Sequence, residues 1–237
     1  MKNGQNNIYP SCGRMHNMVR LYANVAVENY KKAKALYQEM EIDNFNALDL
    51  RKQYEKFCHS VVIAVVFSAM AIEAFVNNYG AACLGDDFFY DNFDRLSIIS
   101  KLQLISKFLF KEEFDKSKEY YYCLKSTFSE RDKFIHSKTV AAHDYLIKKG
   151  YTVHTDIEDA IECSKRLTVE EPVLDKEDIK EDLKLSHTAI NAMKKIAEYF
   201  DENDGNVHAM FSFFNVGLFY TIDPSEYADV YKEFGII

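Results

Sequence analysis

The residues with the clearest capacity for chemistry lie in one short segment, where Arg131 is followed by Asp132 and then by His136. Histidine exchanges a proton near neutral pH, and a guanidinium binds the oxygens of a phosphate or carboxylate through several donors in one plane. A carboxylate beside a histidine can hold the imidazole in one tautomer and favour its protonated form. This combination of side chains is typical of acid/base chemistry on an anionic group.

The spacing of these three residues limits how they can work together. Asp132 and His136 are four residues apart, so on a helix they lie on one face and can pair. Arg131 and His136 are five apart, which is about 140° around an ideal helix, so they do not share a face. They can converge only through the reach of their side chains, at a loosened helix end, or across two protomers.

Arg131 also interrupts an apolar stripe. The positions at helical steps of three and four in this segment are Tyr121, Leu124, Phe128, Arg131 and Ile135. Because arginine is seldom buried without a partner, Arg131 must pair with an acid inside the protein or face a cleft or interface. In a purely structural interpretation, Arg131 pairs with an acid such as Glu73, and His136 stabilises the C-terminal end of its helix.

Two polar residues follow the most apolar run of the chain, Val61 to Ile72. Glu73 and Asn77 are four residues apart and share a helical face. A carboxylate on so apolar a helix must be paired or protonated. We therefore predict a hydrogen bond between Glu73 and Arg131, with Glu73 and Asn77 as supporting residues of the candidate site.

Helical periodicity predicts the elements that carry these residues. Apolar residues recur at steps of three and four, and only three prolines and eight glycines interrupt the chain. The periodic segments are residues 18–40, a segment from Asn44 or Asn46 to Gly80, 98–109, 114–136 and 178–200. We predict an all-α fold, an antiparallel bundle of about five long helices, in which the second helix is long enough to be kinked or broken.

Two parts of the chain lack this periodicity. Residues 139–176 include Gly150 and Pro172 and are predicted to form an irregular insertion with room for one short helix. Residues 204–237 are predicted to form a C-terminal extension, whose apolar runs fit either a short strand pair or a packed helix. We expect one domain over residues 1–237, with its core helices in 18–138 and 178–200.

Composition narrows the classes of function. A formal charge of −8 argues against coating nucleic acid by bulk electrostatics but permits a local basic cleft. Five scattered cysteines without a C-x-x-C pair predict neither a disulfide framework nor a zinc site, and we expect no metal or cofactor. The start of the chain lacks the apolar core of an export signal, and the run from Val61 to Ile72 is shorter than the ~20 residues of a membrane span. We expect a cytoplasmic protein with no membrane partner.

Two motifs together resemble a known superfamily. The string from Arg131 to His136 resembles the HEPN signature, in which an arginine is followed by a polar residue and, after four to six positions, by a histidine. The run from Ala71 to Asn77 is similar to the alanine, aliphatic, Glu, small, Phe, aliphatic, Asn pattern in the long earlier helix of such proteins. The resemblance covers roughly residues 45–140 and the segment 178–200.

The resemblance implies a metal-independent endoribonuclease of a toxin or defence type, acting as a homodimer on RNA, with an antitoxin protein as a further partner. By position, His136 would be the acid/base in attack of the ribose 2′-OH on the adjacent phosphate. Arg131 would stabilise charge in the transition state, and Asp132 would orient the histidine. Relatives that are silenced by modification carry a tyrosine two residues after the histidine, where this chain has Lys138.

Other members of that superfamily lack activity and serve as helical binding or assembly modules. Two hypotheses therefore stand side by side. In one, Arg131 and His136 cleave RNA; in the other, the chain is a noncatalytic module for a protein or nucleotide partner, and Arg131 is only an ion-pair residue. Oligomeric state helps to distinguish them, because a strict monomer cannot build a cleft from two copies of the motif.

Overall fold

In a computed structural model, the described part of the chain is helical and contains no strand. It comprises residues 12–42, 47–136, 176–204, 209–214 and 227–236. The α-helices are α1 (Cys12–Ile42), α2 (Ala47–Leu84), α3 (Asp86–Phe93), α4 (Ile98–Ile105), α5 (Glu119–Ile135), α6 (Lys176–Asn203), α7 (Ala209–Phe214) and α8 (Ala228–Glu233). The all-α prediction is confirmed for these ranges.

The relative directions of α2 and α6 follow from two tyrosines. The Tyr54 hydroxyl donates to the Asp182 carboxylate at 3.0 Å, and the Tyr79 hydroxyl donates to Asp204 at 2.7 Å. Because the later residue of one helix meets the later residue of the other, α2 and α6 run parallel. Each tyrosine side chain is an apolar ring that carries one polar hydroxyl group. When the ring packs between helices, the hydroxyl needs a hydrogen-bond acceptor.

Helix α5 runs in the opposite direction to α6. The Asn191 amide donates to Glu119 at 3.2 Å and to the Cys123 sulfur at 3.5 Å, while Lys195 pairs with Glu119 at 3.5 Å. Helix α1 packs along the length of α2 and completes a bundle of four long helices. This orientation brings the C-terminal end of α5, where Arg131 lies, against the middle of α2.

Helix α2 does not stop at Gly80 as its glycine predicted; it continues unbroken to Leu84. Gly80 is instead a packing position, because a Cβ atom there would overlap the ring of Phe89 on α3. A glycine inside a helix costs only about 1 kcal/mol, which close packing can offset. The predicted capping residues Asn44 and Asn46 lie outside the described residues.

The helix predicted over residues 98–109 is found as α4 followed by a π-helical turn, Ser106–Phe110. The Ser97 hydroxyl accepts from the Ser100 backbone N–H and caps α4. Lys111 ends the π turn in the left-handed conformation, with φ of 63°. Four of the five predicted helices are therefore long in the described part, and the third, predicted over residues 98–109, is this shorter composite helix.

The described residues of the C-terminal segment belong to the main core rather than to an appended extension. Residues 209–214 form a helix, which resolves the choice between strand and helix there. The side chains from this segment in the main core include Ala209, Phe213, Phe214, Val230, Tyr231 and Phe234. The predicted insertion lies outside the described residues up to position 175, and α6 begins at Lys176.

Helix α2 is, by length and composition, the one described helix that could cross a membrane. The segment Lys52–Leu84 has a mean hydropathy of 2.0 at its most apolar stretch, 56% of which is buried. The sequence prediction that excluded a span counted only Val61 to Ile72, and the helix is longer than that run. A buried core helix passes the same test, and Phe57, Val65 and Phe75 of α2 are fully buried.

Candidate functional site

Arg131 is held at the end of α5 by two carboxylates and an aromatic ring. Its Nη1 donates to Oε2 of Glu73 at 3.1 Å, which is the predicted hydrogen bond between α5 and α2. Its Nε and Nη2 donate to Oδ1 of Asp132 at 3.0 and 2.8 Å. The guanidinium carbon lies 4.6 Å from the centroid of the Phe128 ring, within the range of a cation–π contact.

These contacts leave part of the guanidinium unused. Arginine has five N–H groups, and Nε, Nη1 and Nη2 of Arg131 each donate one to a carboxylate. One N–H on each terminal nitrogen therefore has no acceptor in the described part of the chain. With 21% of its side chain exposed, Arg131 can offer these donors to an incoming oxygen.

Asp132 does not pair with His136 as the helical spacing predicted. Its Oδ1 is occupied by Arg131, and no hydrogen bond or ion pair within the described ranges joins its carboxylate to the His136 ring. His136 lies at the C-terminal cap of α5, where its backbone N–H still donates to the Asp132 carbonyl at 2.9 Å but its φ of −109° and ψ of 39° depart from helical values. Whether Asp132 orients the histidine during a reaction stays a prediction.

The imidazole of His136 is exposed, and so is its apolar neighbour. Leu124 and Phe128 on the same stripe of α5 are buried, whereas Ile135 is 55% exposed. The cover over this stripe therefore ends between Phe128 and Ile135, one turn before the histidine. The last turn of α5 presents a cation, a histidine and an uncovered isoleucine together.

Asn77 contacts a residue that the sequence analysis missed. Its Oδ1 accepts a hydrogen bond from Nζ of Lys101 on α4 at 2.9 Å, and Lys101 is only 1% exposed. In the sequence, Lys101 lies three residues after Ile98 and four before Ile105. Those steps place it on the buried stripe of α4, a signal that could have identified it.

Glu73 and Asn77 thus occupy successive turns of α2, and each binds a cation from a different helix. Arg131 comes from α5 and Lys101 from α4. We call these four residues the paired-cation row. The row is where the sequence-predicted residues of α2 and α5 come together, with Asp132 beside it and His136 one turn away.

A second cluster of titratable residues joins α8 to α1 and α6. The Glu233 carboxylate accepts from the Tyr30 hydroxyl at 2.7 Å and from Lys34 at 2.8 Å. Burial lowers the pKa of His187, whose ring lies 4.5 Å from the Phe234 ring. Burial and the Glu233 carboxylate raise the pKa of Tyr30. This cluster anchors the C-terminal helix and lies apart from the paired-cation row.

Two further features bear on the site. Among the described residues, no three His, Cys, Asp or Glu side chains converge in a way that could hold a metal ion. A surface groove of about 960 Å³ runs along the outer side of α4 and residues 113–116, and no residue of the paired-cation row lines it.

Comparisons with known proteins add no relative. No protein-family model matches the chain, and no curated protein or solved structure matches it either.

Proposed function

We propose that this chain is a metal-independent endoribonuclease of the HEPN type that acts as a homodimer. The observation that carries the proposal is the state of Arg131. Its guanidinium is held in place by Glu73, Asp132 and Phe128, yet one N–H on each terminal nitrogen has no acceptor among the described residues, and the side chain is partly exposed. A fixed cation with donors to spare is suited to stabilising charge that develops on a phosphate.

In the proposed reaction, His136 takes the proton from a ribose 2′-OH as that oxygen attacks the adjacent phosphorus. The P–O5′ bond breaks, and the leaving O5′ takes a proton from the His136 of the second protomer, which is in its protonated form. The products are a 2′,3′-cyclic phosphate and a 5′-OH end, and atoms and charges balance without an added reactant. Arg131 donates to the equatorial oxygens as their charge grows.

Two features support an assembly of two copies. Arg131 and His136 do not share a helical face, and two copies of the motif can bring an arginine and a histidine to one phosphate from opposite sides. An incompletely covered apolar strip also leads along α2 toward Glu73, consisting of the half-buried residues Ile63, Val66, Met70 and Ala74. Such a half-covered strip, like the exposed Ile135 on α5, is the type of surface that a second protomer covers.

The net charge around Arg131 opposes the binding of a phosphate. Arg131 carries one positive charge, and Glu73 and Asp132 carry two negative charges between them, so a phosphate meets repulsion as well as attraction. The Glu73 and Asp132 side chains are 42% and 55% exposed. Both carboxylates are therefore partly solvated, and water screens their repulsion of a phosphate while they keep Arg131 in place.

The noncatalytic alternative is favoured by a specific observation. Within a single chain, two carboxylates already bind the Arg131 cation. No hydrogen bond or ion pair among the described residues joins the Asp132 carboxylate to His136. A binding module would need nothing more of Arg131 than this. In that case, the exposed end of α5 would contact a protein partner and no RNA would be cleaved.

Cleavage of a mixed RNA pool in the presence of EDTA tests the proposal. We expect wild-type protein to generate cyclic-phosphate ends and His136→Ala to abolish them while keeping the helical circular-dichroism spectrum. His59→Ala is the matched control, since His59 is also an exposed histidine but lies on α2 several turns from Glu73. Equal cleavage by both variants would reveal a contaminating nuclease, and no cleavage by a folded wild-type dimer would favour the binding module.

A further inference from the structure

Lys101 is the one fully buried charged residue in the part of the chain that the structure describes. Its ammonium makes a single hydrogen bond there, to the neutral Oδ1 of Asn77. Removing an ammonium from water costs several kcal/mol, and a neutral amide offsets only part of this. Methionine would fill the same space without that penalty, so stability alone does not account for a lysine here.

The lysine determines which way the Asn77 amide points. An ammonium has donors and no acceptor, so it can face only the carbonyl oxygen of the amide. The NH2 group of Asn77 must therefore point away from Lys101. Its two N–H groups have no acceptor in the described ranges, and Asn77 is only half-buried, so these donors reach solvent.

The donors of Asn77 and Arg131 lie on the same part of the molecular surface. Asn77 is one helical turn after Glu73, which places their Cβ atoms roughly 6 Å apart. Glu73 in turn binds Nη1 of Arg131 at 3.1 Å. The N–H groups of Arg131 and Asn77 that have no acceptor in the described ranges therefore both lie near the Glu73 carboxylate, on the α2 face that the proposed substrate would approach.

Lys101 also changes the charge of this surface. Arg131, Glu73 and Asp132 alone sum to a formal charge of −1, and the buried ammonium brings the sum to zero. A buried charge acts through a medium of lower dielectric than water, so its effect on an approaching anion is less screened than that of a surface lysine. Lys101 thus favours an anion at a position it does not itself touch.

We propose that Asn77 is a second substrate-contacting residue, which donates its NH2 group to an oxygen of the RNA phosphate held by Arg131, and that Lys101 is the positioning residue that orients it. This inference rests on the proposed function for its substrate. It assigns to the buried lysine a role that a simple tether between α4 and α2 would not have.

The test measures binding apart from cleavage. The probe is a fluorescein-labelled RNA hexamer with 2′-O-methyl riboses, which cannot be cleaved by 2′-OH attack, and the readout is fluorescence anisotropy. We expect Asn77→Ala to weaken binding about tenfold, as loss of a hydrogen bond to a charged group does. Lys101→Met is expected to weaken it several-fold, and Asn78→Ala, on the next position of α2, to leave it unchanged.

Asn77→Asp separates the two roles. The aspartate keeps the bond to Lys101 and makes it an ion pair, so a simple tether would be preserved or strengthened. A substrate contact would instead be lost, because the NH2 donor becomes an anionic acceptor facing the phosphate. We expect Asn77→Asp to raise the midpoint of thermal unfolding and to weaken RNA binding more than Asn77→Ala does.

Each outcome decides between the inference and the function on which it rests. If Asn77→Asp and Asn77→Ala bind the probe as tightly as Asn78→Ala, the inference is wrong, even if wild-type protein cleaves ordinary RNA. If binding depends on Asn77 but ordinary RNA is not cleaved, the contact stands and the proposed nuclease activity falls. Failure of folded wild-type protein to bind the probe would overturn both.

Discussion

The ion pair between Arg131 and Glu73 allows a quantitative test of how this site is built. We consider Arg131→Ala, which removes the guanidinium from both carboxylates and from the Phe128 ring. A fully buried pair would lose about 3–5 kcal/mol when one partner is removed, because a charge would be left in a dry interior. The Arg131 and Glu73 side chains are 21% and 42% exposed, so both charges regain water in the variant.

The expected loss is therefore smaller. A partly exposed ion pair contributes about 1 kcal/mol, and the cation–π contact with Phe128 contributes about 0.5–1 kcal/mol. Asp132 adds little, since it is 55% exposed and adjacent in sequence to Arg131. We predict that Arg131→Ala lowers the free energy of unfolding by about 2 kcal/mol and that its coupling to Glu73→Ala is about 1 kcal/mol.

The assay is urea unfolding of the wild type, the two single variants and the double variant, combined in a double-mutant cycle. The control cycle uses Lys107 and Glu113, which form an ion pair at 3.3 Å but are 64% and 87% exposed, and whose coupling should be close to zero. A loss above about 4 kcal/mol for Arg131→Ala would show a buried structural charge. A coupling no larger than the control would show that the pair contributes nothing to stability. Either result would refute this account of Arg131.

Two further predictions concern the frame around the site. Gly80→Ala should lower the free energy of unfolding by about 1–3 kcal/mol, because its Cβ would overlap the Phe89 ring. The control is Gly85→Ala, where a Cβ meets open space but φ is +90°. Thermal melts of the two variants separate the effect of overlap from that of backbone strain. Because burial lowers the pKa of His187 from 6.5, the unfolded chain binds more protons, and stability should fall as pH drops through that value. His187→Gln should flatten the dependence of the unfolding free energy on pH between about 7 and 5, and an unchanged slope would contradict this.

The helices were predictable because their signal is local. Apolar steps of three and four located the segments that became α1, α2, α5 and α6, with ends that differ by several residues. The predicted end of α2 at Gly80 was wrong. The ring of Phe89 packs so closely against this position that only a glycine leaves room for it inside the helix. The pattern also could not predict that α4 is followed by a π turn, because the apolar residues keep a helical spacing whether the segment is a single α-helix or an α-helix with a π turn.

The pairing of Glu73 with Arg131 was predicted from a local contradiction, an arginine on an apolar stripe that needs a nearby acid. The pairing of Asp132 with His136 was not found, for two physical reasons. The Asp132 carboxylate is taken by Arg131, and His136 lies beyond the last helical residue of α5. A periodic pattern assumes helical φ and ψ at every position, and His136 departs from them.

By itself, the sequence determined that the chain forms long helices and that Arg131 is out of place on one of them, since both follow from residues within a few turns of each other. Only the tertiary structure could confirm that Glu73 is the acid that binds Arg131, and only it showed that Lys101 is buried against Asn77. It also decided that the described C-terminal residues join the main core. These contacts join residues 58 and 24 positions apart in the first two cases. Such distances depend on how whole helices pack, and the spacing within any one helix does not encode them.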